Sequence, residues 1–514
     1  VPVGFDPTRS LPREIGPAPL VRASFDGAQG SRRLSRWTPS REHVNGLLAL
    51  QGGRLLSRTR DLARNNPYVV SARESFVANT VGAGILPSWL DLRPRQKKAL
   101  ETAWLDWTDE ADADGVVDFY GMEALAAGAL FEAGECFFRL MPGAGPTGTL
   151  QLRIIESEQC PVELARTEAN GNRTRAGIEF TPDGTRAAYW FHRRHPDDST
   201  MLAEYGDHVR VPAKEVIHLF RPTRPGQIRG VPWVSAAVVK AFLLDRYDDA
   251  ELDRKGTAAL FAGFIISPAR SQTPLSGQKD VPGEPGVAMA GLQPGTMQIL
   301  EPGEDIKFSA PADVGGQYEA FQYRNLLALC AATGVPYTAV TGDLRQANYS
   351  SLRAGLVEFR RRIEQLQHNT LVFQLCRPVA QAWVRQAVLA ERIRLPGFQS
   401  EPARYTRIKW IPPRFEWVDP WKDRKAEELA VNNGWKSRSD VIEAEGADAE
   451  QVDARIAGDA ERERRHGIGP FPKAAKAAAA PSPGKEAVLG DPLDEGEAEG
   501  GRTDEQDLET ERAA

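Results

Sequence analysis

At roughly 100–200 residues per domain, the 514 residues allow about three domains, and an apolar share of 41% before Gly is counted excludes a wholly disordered chain. No apolar run, 258–266 included, approaches the ~18 residues of a membrane span. The four cysteines (Cys136, Cys160, Cys330, Cys376) stand far apart with no C-x-x-C pair, which argues against a zinc ribbon or disulfide framework and points to a reducing cytosol. The net charge of −6 lies wholly in residues 467–514, which hold five Lys/Arg and eleven Asp/Glu; the body is neutral, unlike a domain that grips nucleic acid through its phosphates.

Residues 1–45, rich in Pro and Gly and mildly basic, read as an irregular arm. Leu47, Leu50, Leu55 and Leu62 recur near helical spacing, and Asn65-Asn66-Pro67 ends that helix. Further helices are expected at Val69–Thr80, stopped by Gly82-Ala83-Gly84, at Arg95–Asp109 and at Phe119–Ala133. The period then changes. Short strands are expected at Glu135–Leu140, Thr149–Ile155, Ala176–Phe180, Ala187–Phe191 and Val216–Phe220, giving an α+β region.

Pro232 opens a helix to about Leu260, apolar in its first half and charged in its second. A Pro/Gly-rich excursion follows, with strand candidates at Met297–Leu300 and Asp305–Phe308, and a helix returns over Tyr318–Thr333. After Gly334-Val335-Pro336 the chain reads as loop to Ser351, then as one helix from Leu352 to about Ile393, about 63 Å long at 1.5 Å per residue. Leu352, Leu356, Phe359, Ile363 and Leu366 form its packing seam, and Pro378 is expected to kink it. A Pro-broken strand, Trp410–Trp417, leads to small charged helices over Trp421–His466 punctuated by Gly434 and Gly446. Residues from Gly467 have the composition of a disordered tail.

Few motifs offer chemistry. Gly143-Ala144-Gly145-Pro146-Thr147-Gly148 spells G-x-G-x-x-G, but strand-like runs flank it on both sides, so a hairpin loop is expected rather than a dinucleotide site. Glu110, Asp112 and Asp114 imitate the start of a calcium loop whose twelfth position is Gly121 instead of Glu, so an acidic turn is expected. His192 and His195 fall where strand passes into loop, a poor scaffold for a metal pair. Trp104, Trp107, Trp233, Trp383, Trp410 and Trp417 belong to a core or to an interface.

Several segments, in order over residues 45–466, resemble the lambda-like family of tailed-bacteriophage portal proteins. They are Arg64-Asn-Asn-Pro-Tyr68, Ile178-Glu-Phe180 with Ala188-Tyr189 and His195-Pro196, and Glu215-Val-Ile-His-Leu-Phe220 with Arg229-Gly-Val-Pro232. Tyr247-Asp-Asp-Ala-Glu-Leu252, Tyr349-Ser-Ser-Leu-Arg353, Val418-Asp-Pro420 with Lys422 and Ala426, and Glu445-Gly-Ala-Asp448 continue the series. The resemblance implies a homo-oligomeric ring of about twelve copies at one capsid vertex. Double-stranded DNA would pass through it without sequence recognition during packaging and ejection. The terminase large subunit would dock on it, then a head-completion or adaptor protein, with the major capsid or scaffold protein around it.

On that resemblance the α+β fold divides into a wing (46–230), a first stem helix (231–260), a clip (261–312), a second stem helix (313–333), a tunnel loop (334–350) and a kinked tunnel helix (351–404). A wing return strand (405–418) and a helical crown (419–466) complete it, leaving the arm (1–45) and acidic tail (467–514) outside. Arg345, Gln346 and Asn348 would face DNA from the tunnel loop. Asp245, Arg246, Asp248, Asp249, Glu251, Asp253, Arg254 and Lys255 would bridge neighbouring stems. Neither enzyme activity, cofactor, metal nor membrane is expected, and the protein's place would be the virion, after the host cytoplasm during assembly. The alternatives are a metal-dependent nuclease built on Glu110, Asp112, Asp114 or the two His, or another ring-forming connector of the phage particle.

Overall fold

The computed structural model describes residues 36–146, 148–200, 208–259, 317–345, 349–413 and 420–468, with the backbone of four short strands between 263 and 308. The chain forms two units, residues 1–449 and 450–514. In the second, helix Ala449–His466 carries exposed ion pairs Arg462–Asp459 and Arg465–Glu461.

The first unit is α+β. It opens with α1 (Val44–Asn65) and α2 (Pro67–Thr80), separated where the Asn66 side chain accepts from the Val69 amide and Pro67 takes a first-turn position whose N–H would have no intrahelical acceptor anyway. Strand β1 (Leu86–Trp89) leads to α3 (Pro94–Thr108) and α4 (Phe119–Glu132), the latter capped by Asp118 accepting from the Gly121 amide. Strands β2 (Glu135–Met141) and β3 (Gln151–Ile155) form an antiparallel hairpin, and β9 (Val216–Phe220) pairs with the other edge of β2. Between them runs an antiparallel meander, β4 (Arg166–Thr167), β5 (Arg173–Arg175), β6 (Ile178–Phe180), β7 (Arg186–His192) and β8 (His208–Pro212).

After a 3₁₀ turn at Trp233–Ala236 comes α5 (Val238–Ala259). Strands β10 (Gly263–Ile266) and β13 (Asp305–Phe308) pair antiparallel, as do β11 (Lys279–Asp280) and β12 (Ala288–Met289). Then follow α6 (Gln317–Thr333), α7 (Tyr337–Thr341), α8 (Tyr349–Leu366), a π-helical segment Gln367–Cys376, and α9 (Arg377–Leu389). Strand β14 (Ile408–Ile411) returns to pair with β1, and α10 (Pro420–Asn432), α11 (Arg438–Ala444) and α12 (Ala449–His466) close the described chain.

Three apolar cores hold this together. The largest packs α3, α4, β2 and β3 against the π segment and α9, with Trp89, Trp104, Trp107, Trp383 and Trp410 at its centre. A second joins α1, α2, α6, α7 and the seam of α8 through Phe359, Ile363 and Leu366. A third lies under the meander around Phe137, Tyr189 and Phe191. Trp104, Trp107, Trp383 and Trp410 are thus core residues, while Trp417 and the expected strand Met297–Leu300 lie outside the described residues.

Several expectations need correction. Strands β1, β4, β5 and β8 are additions to the expected set, and the ladder partner decides each of them. The stretch after Pro336 is not all loop: Pro336 precedes one turn of helix that ends at Gly342, whose φ of 69° suits a residue without Cβ. The long helix ends at Leu389, four residues short of Ile393. Where a kink is expected at Pro378, the helix changes type instead: ten residues of π-helix, Gln367–Cys376, precede α9, and Pro378 falls in the first turn of α9.

Candidate assembly and channel surfaces

A buried ion network fixes the start of α5. Glu135, at the head of β2, accepts from Arg229 Nε at 2.7 Å, Ser157 Oγ at 2.7 Å, the Gly230 amide at 2.5 Å and His218 Nε2 at 3.0 Å. Arg229 spends its other donors on the carbonyls of Cys160, Ala176 and Ser157. Burial alone would raise the Glu135 carboxyl, but Arg229 and His218 reverse this and hold it far below the carboxylate range. Burial pushes His218 down to about 4, so the ring is neutral at pH 7 and donates one N–H to Glu135. The backbones cross so closely that a Cβ on Gly134 would meet the Val231 carbonyl carbon at 2.2 Å, and one on Gly230 the Gly134 oxygen at 2.2 Å. Glycine is required at both positions.

The paired helices α5 and α6 follow. Trp233 Nε1 donates to the Thr333 carbonyl at 2.6 Å, tying the start of one helix to the end of the other. Ala237, Val238, Ala241 and Leu244 are buried, and Asp248 accepts from Tyr318 Oη at 3.1 Å and from Gln322. Glu251 pairs with Arg254 at 2.6 Å and Lys255 at 3.8 Å, Arg246 lies over the Phe242 ring, and Asn66 donates to Asp245 at 3.4 Å. Most of the charge expected to reach a neighbouring copy is therefore engaged within one chain. Asp249 and Asp253 are exposed and form no ion pair among the described residues. They share the outer face of α5 with Val239, Phe242 and Leu243, which are 67%, 50% and 57% exposed.

Arg345 is exposed and pairs with Asp343 at 2.9 Å and Glu319 at 3.0 Å. Its hydrogen bonds pull the Asp343 carboxyl down to about 2. Gln346 and Asn348 lie outside the described residues.

In the acidic turn the Asp112 and Asp114 carboxylates are engaged by the protein's own donors. The Asp112 carboxylate accepts from the amides of Asp114, Val116 and Val117 at 2.9–3.3 Å, and Asp114 pairs with Arg153 at 3.0 Å. His192 packs on the His208 ring, while His195 turns to Glu156 at 3.1 Å. Glu156, Glu158 and His195 do bring ligand atoms within 4.8 Å of one another, but the Arg60 guanidinium sits among them, 3.0 Å from Glu156 and 2.6 Å from Glu158. A fixed cation already fills that position. The Gly143–Gly148 segment is the β2–β3 hairpin loop, with no helix opening after it.

Residues 30–367 match the family model described as phage portal protein, lambda family. The chain belongs to that family. It is 26% identical over 475 residues to the probable portal protein of Halomonas phage phiHAP-1, with 89% of this chain and 90% of the relative covered. It is 21% identical over 519 residues to portal protein B of Escherichia phage lambda, covering 90% of this chain and 95% of that one. Among solved structures it is similar to a chain in the neck of an empty GTA particle (14% identity, TM-score 0.45, 76% of this chain and 93% of that one). An HK97-family phage portal protein from Corynebacterium diphtheriae also aligns (14% identity, TM-score 0.28, 65% and 98%).

In this portal subunit the π segment faces one feature that no sequence pattern announced. Glu123, fully buried on α4, accepts from the Ile85 amide at 2.9 Å and lies 3.3 Å from Cys376 Sγ at the end of the π segment. Burial pushes its carboxyl up to about 8 from 4.5. The folded state therefore holds this proton where the unfolded chain has lost it. The resulting stability is full below about pH 4.5 and is lost as pH rises through about 8. Urea unfolding across pH 5–9 is expected to show this decline in the parent minus Glu123→Gln difference, and a flat difference would refute it.

Proposed function

We propose that this portal protein forms a closed ring of about twelve copies at one capsid vertex and serves as the conduit for double-stranded DNA in packaging and ejection. In this reading the terminase large subunit docks first and a head-completion or adaptor protein later, and the capsid or scaffold protein surrounds the ring in the virion. The protein acts as structure, without catalysis.

The family match over 30–367 carries the reading. The charge distribution supports it. DNA must slide, and each neutralised phosphate adds counterion-release affinity, so a strongly basic bore would act as a brake. The body is neutral, and Arg345, at the base of the proposed tunnel loop, is matched by two carboxylates. Within this reading residues 46–230 and 405–418 form the wing, α5 and α6 the stem, 261–312 the clip, α8 to α9 the tunnel helix and 419–466 the crown. Arg345, Gln346 and Asn348 touch passing DNA only transiently.

Native mass spectrometry with negative-stain imaging tests this. A closed ring near twelve copies with a central hole is expected. A chain that stays monomeric at high concentration and with scaffold present overturns it. Deleting residues 467–514 is expected to leave ring formation intact, read by the same mass measurement. Plasmid DNA incubated with the pure protein and a divalent metal is expected to remain uncut.

A further inference from the structure

We propose that two copies of this chain pair through the exposed face of α3, antiparallel and about a two-fold axis at Thr102. At about 100° per residue, Arg95, Lys98, Ala99, Thr102, Leu105, Asp106 and Asp109 fall on one stripe about 120° wide along the helix. All of them are exposed, Leu105 by 63%. The opposite side of α3, with Leu100, Trp104 and Trp107, is buried within the single chain.

The order of charge along the stripe names the occupant. Arg95 and Lys98 stand at its N-terminal end and Asp106 and Asp109 at its C-terminal end, and none of the four forms an ion pair among the described residues. Charges beside the stripe are already matched within the chain: Lys97 pairs with Asp448 at 3.0 Å, Asp91 with Arg407 at 3.2 Å and Asp114 with Arg153 at 3.0 Å. The first turn of α3 holds no acid and the last turn no base, so both ends set their charge against the helix dipole. Within one copy that arrangement is unfavourable. A second α3 laid antiparallel corrects it at both ends, because it brings carboxylates to the N-terminal end and cations to the C-terminal end.

The register is palindromic. Arg95 stands seven residues before Thr102 and Asp109 seven after, Lys98 four before and Asp106 four after, Ala99 three before and Leu105 three after. A two-fold axis at Thr102 therefore sets Arg95 opposite Asp109 and Lys98 opposite Asp106, each twice, and seats Leu105 of either copy on the small Ala99 of the other. Such a contact is isologous, with the same surface serving on both copies. Copies within one cyclic ring are related by rotation about the ring axis and meet through two different surfaces, so this pairing joins copies outside one ring and is separate from the ring contacts. One helix face is small for an interface, which makes the pairing weak and salt-dependent.

Thr102→Cys tests the pairing, because a two-fold axis brings a residue onto its own counterpart. The four native cysteines are buried, so the parent is expected to give no linked background. Mild oxidation of the full Thr102→Cys chain at low salt is expected to give a disulfide-linked dimer on a non-reducing gel. The linked fraction is expected to fall as salt rises to about 1 M, where the screening length is about 3 Å. Adding Asp106→Lys and Asp109→Lys makes the stripe basic throughout and is expected to abolish linkage. Adding Arg95→Asp and Lys98→Asp to that variant inverts the palindrome and is expected to restore it. Val116→Cys, 80% exposed and off α3, is the control and is expected to stay unlinked. Every substituted position is exposed, and circular dichroism melts are expected to match the parent; if the all-basic variant unfolds, the salt series on Thr102→Cys decides alone. Absence of the Thr102→Cys dimer, linkage unmoved by salt, linkage that survives in a folded all-basic variant or fails to return on inversion, or equal linkage at Val116→Cys overturns the pairing.

Discussion

Arg229→Met is expected to cost about 3–5 kcal/mol, because it strands the Glu135 carboxylate in a site where burial is nearly complete. Arg229 supplies the charge, and its five hydrogen bonds to Glu135, Ser157, Cys160 and Ala176 tie β2, the meander and the entry to α5 together. The pH dependence carries a sign. In the parent the Glu135 carboxyl is depressed, so its contribution is present above about pH 4.5 and is lost as pH falls further. Without Arg229, burial dominates and raises that carboxyl, so the variant should instead become less stable as pH rises from 5 to 8. Urea unfolding followed by Trp fluorescence at those two pH values measures both effects. Adding Glu135→Gln to Arg229→Met should recover part of the loss, since the uncompensated charge is then gone. A single-variant loss below about 1 kcal/mol would refute the network's role.

Trp383→Ala is expected to cost about 3–5 kcal/mol as a large-to-small change in a closed core. Trp383 is 1% exposed and its ring lies 5.1 Å from Trp104, 5.9 Å from Trp107 and 6.2 Å from Trp89. It brings α9 against α3 and β1, so its loss opens a cavity between elements distant in sequence. Trp435 on the surface, 76% exposed, is the control, and its replacement by Ala should stay within about 0.5 kcal/mol. The shift in urea midpoint separates the two. Equal shifts would mean that the Trp cluster is not the centre of the core.

Local signals explain what could be read in advance. Helices α1 to α4 were legible within a few residues because apolar spacing, Asn66-Pro67 and the glycines after α2 act over one or two turns. The 143–148 loop and the acidic turn at 112 were legible for the same reason: a hairpin needs strands on both sides, and a short-range carboxylate satisfies amides two to five residues on. Strand β1, Leu86-Pro-Ser-Trp89, was not legible. Its partner Ile408–Ile411 lies more than 300 residues away, and nothing within four residues encodes that register. The network of Glu135 and Arg229 spans 94 residues and gave no local sign either. The charged run on α5 showed its composition but not its partners, since Asp248 is satisfied from α6 while Asp249 and Asp253 form no ion pair among the described residues.

The sequence by itself determined the neutral body, the acidic end, the alternation of helical and strand periods, and the ordered motifs of a lambda-family portal protein. Those are properties of composition and of neighbours along the chain. Only the tertiary structure decided which tryptophans are core, that Arg60 sits among Glu156, Glu158 and His195, and which stem charges are engaged within the chain. Pairing is a through-space property: a charge or an apolar face is spent or spare according to what chain closure sets opposite it, and periodicity along one helix carries no record of that.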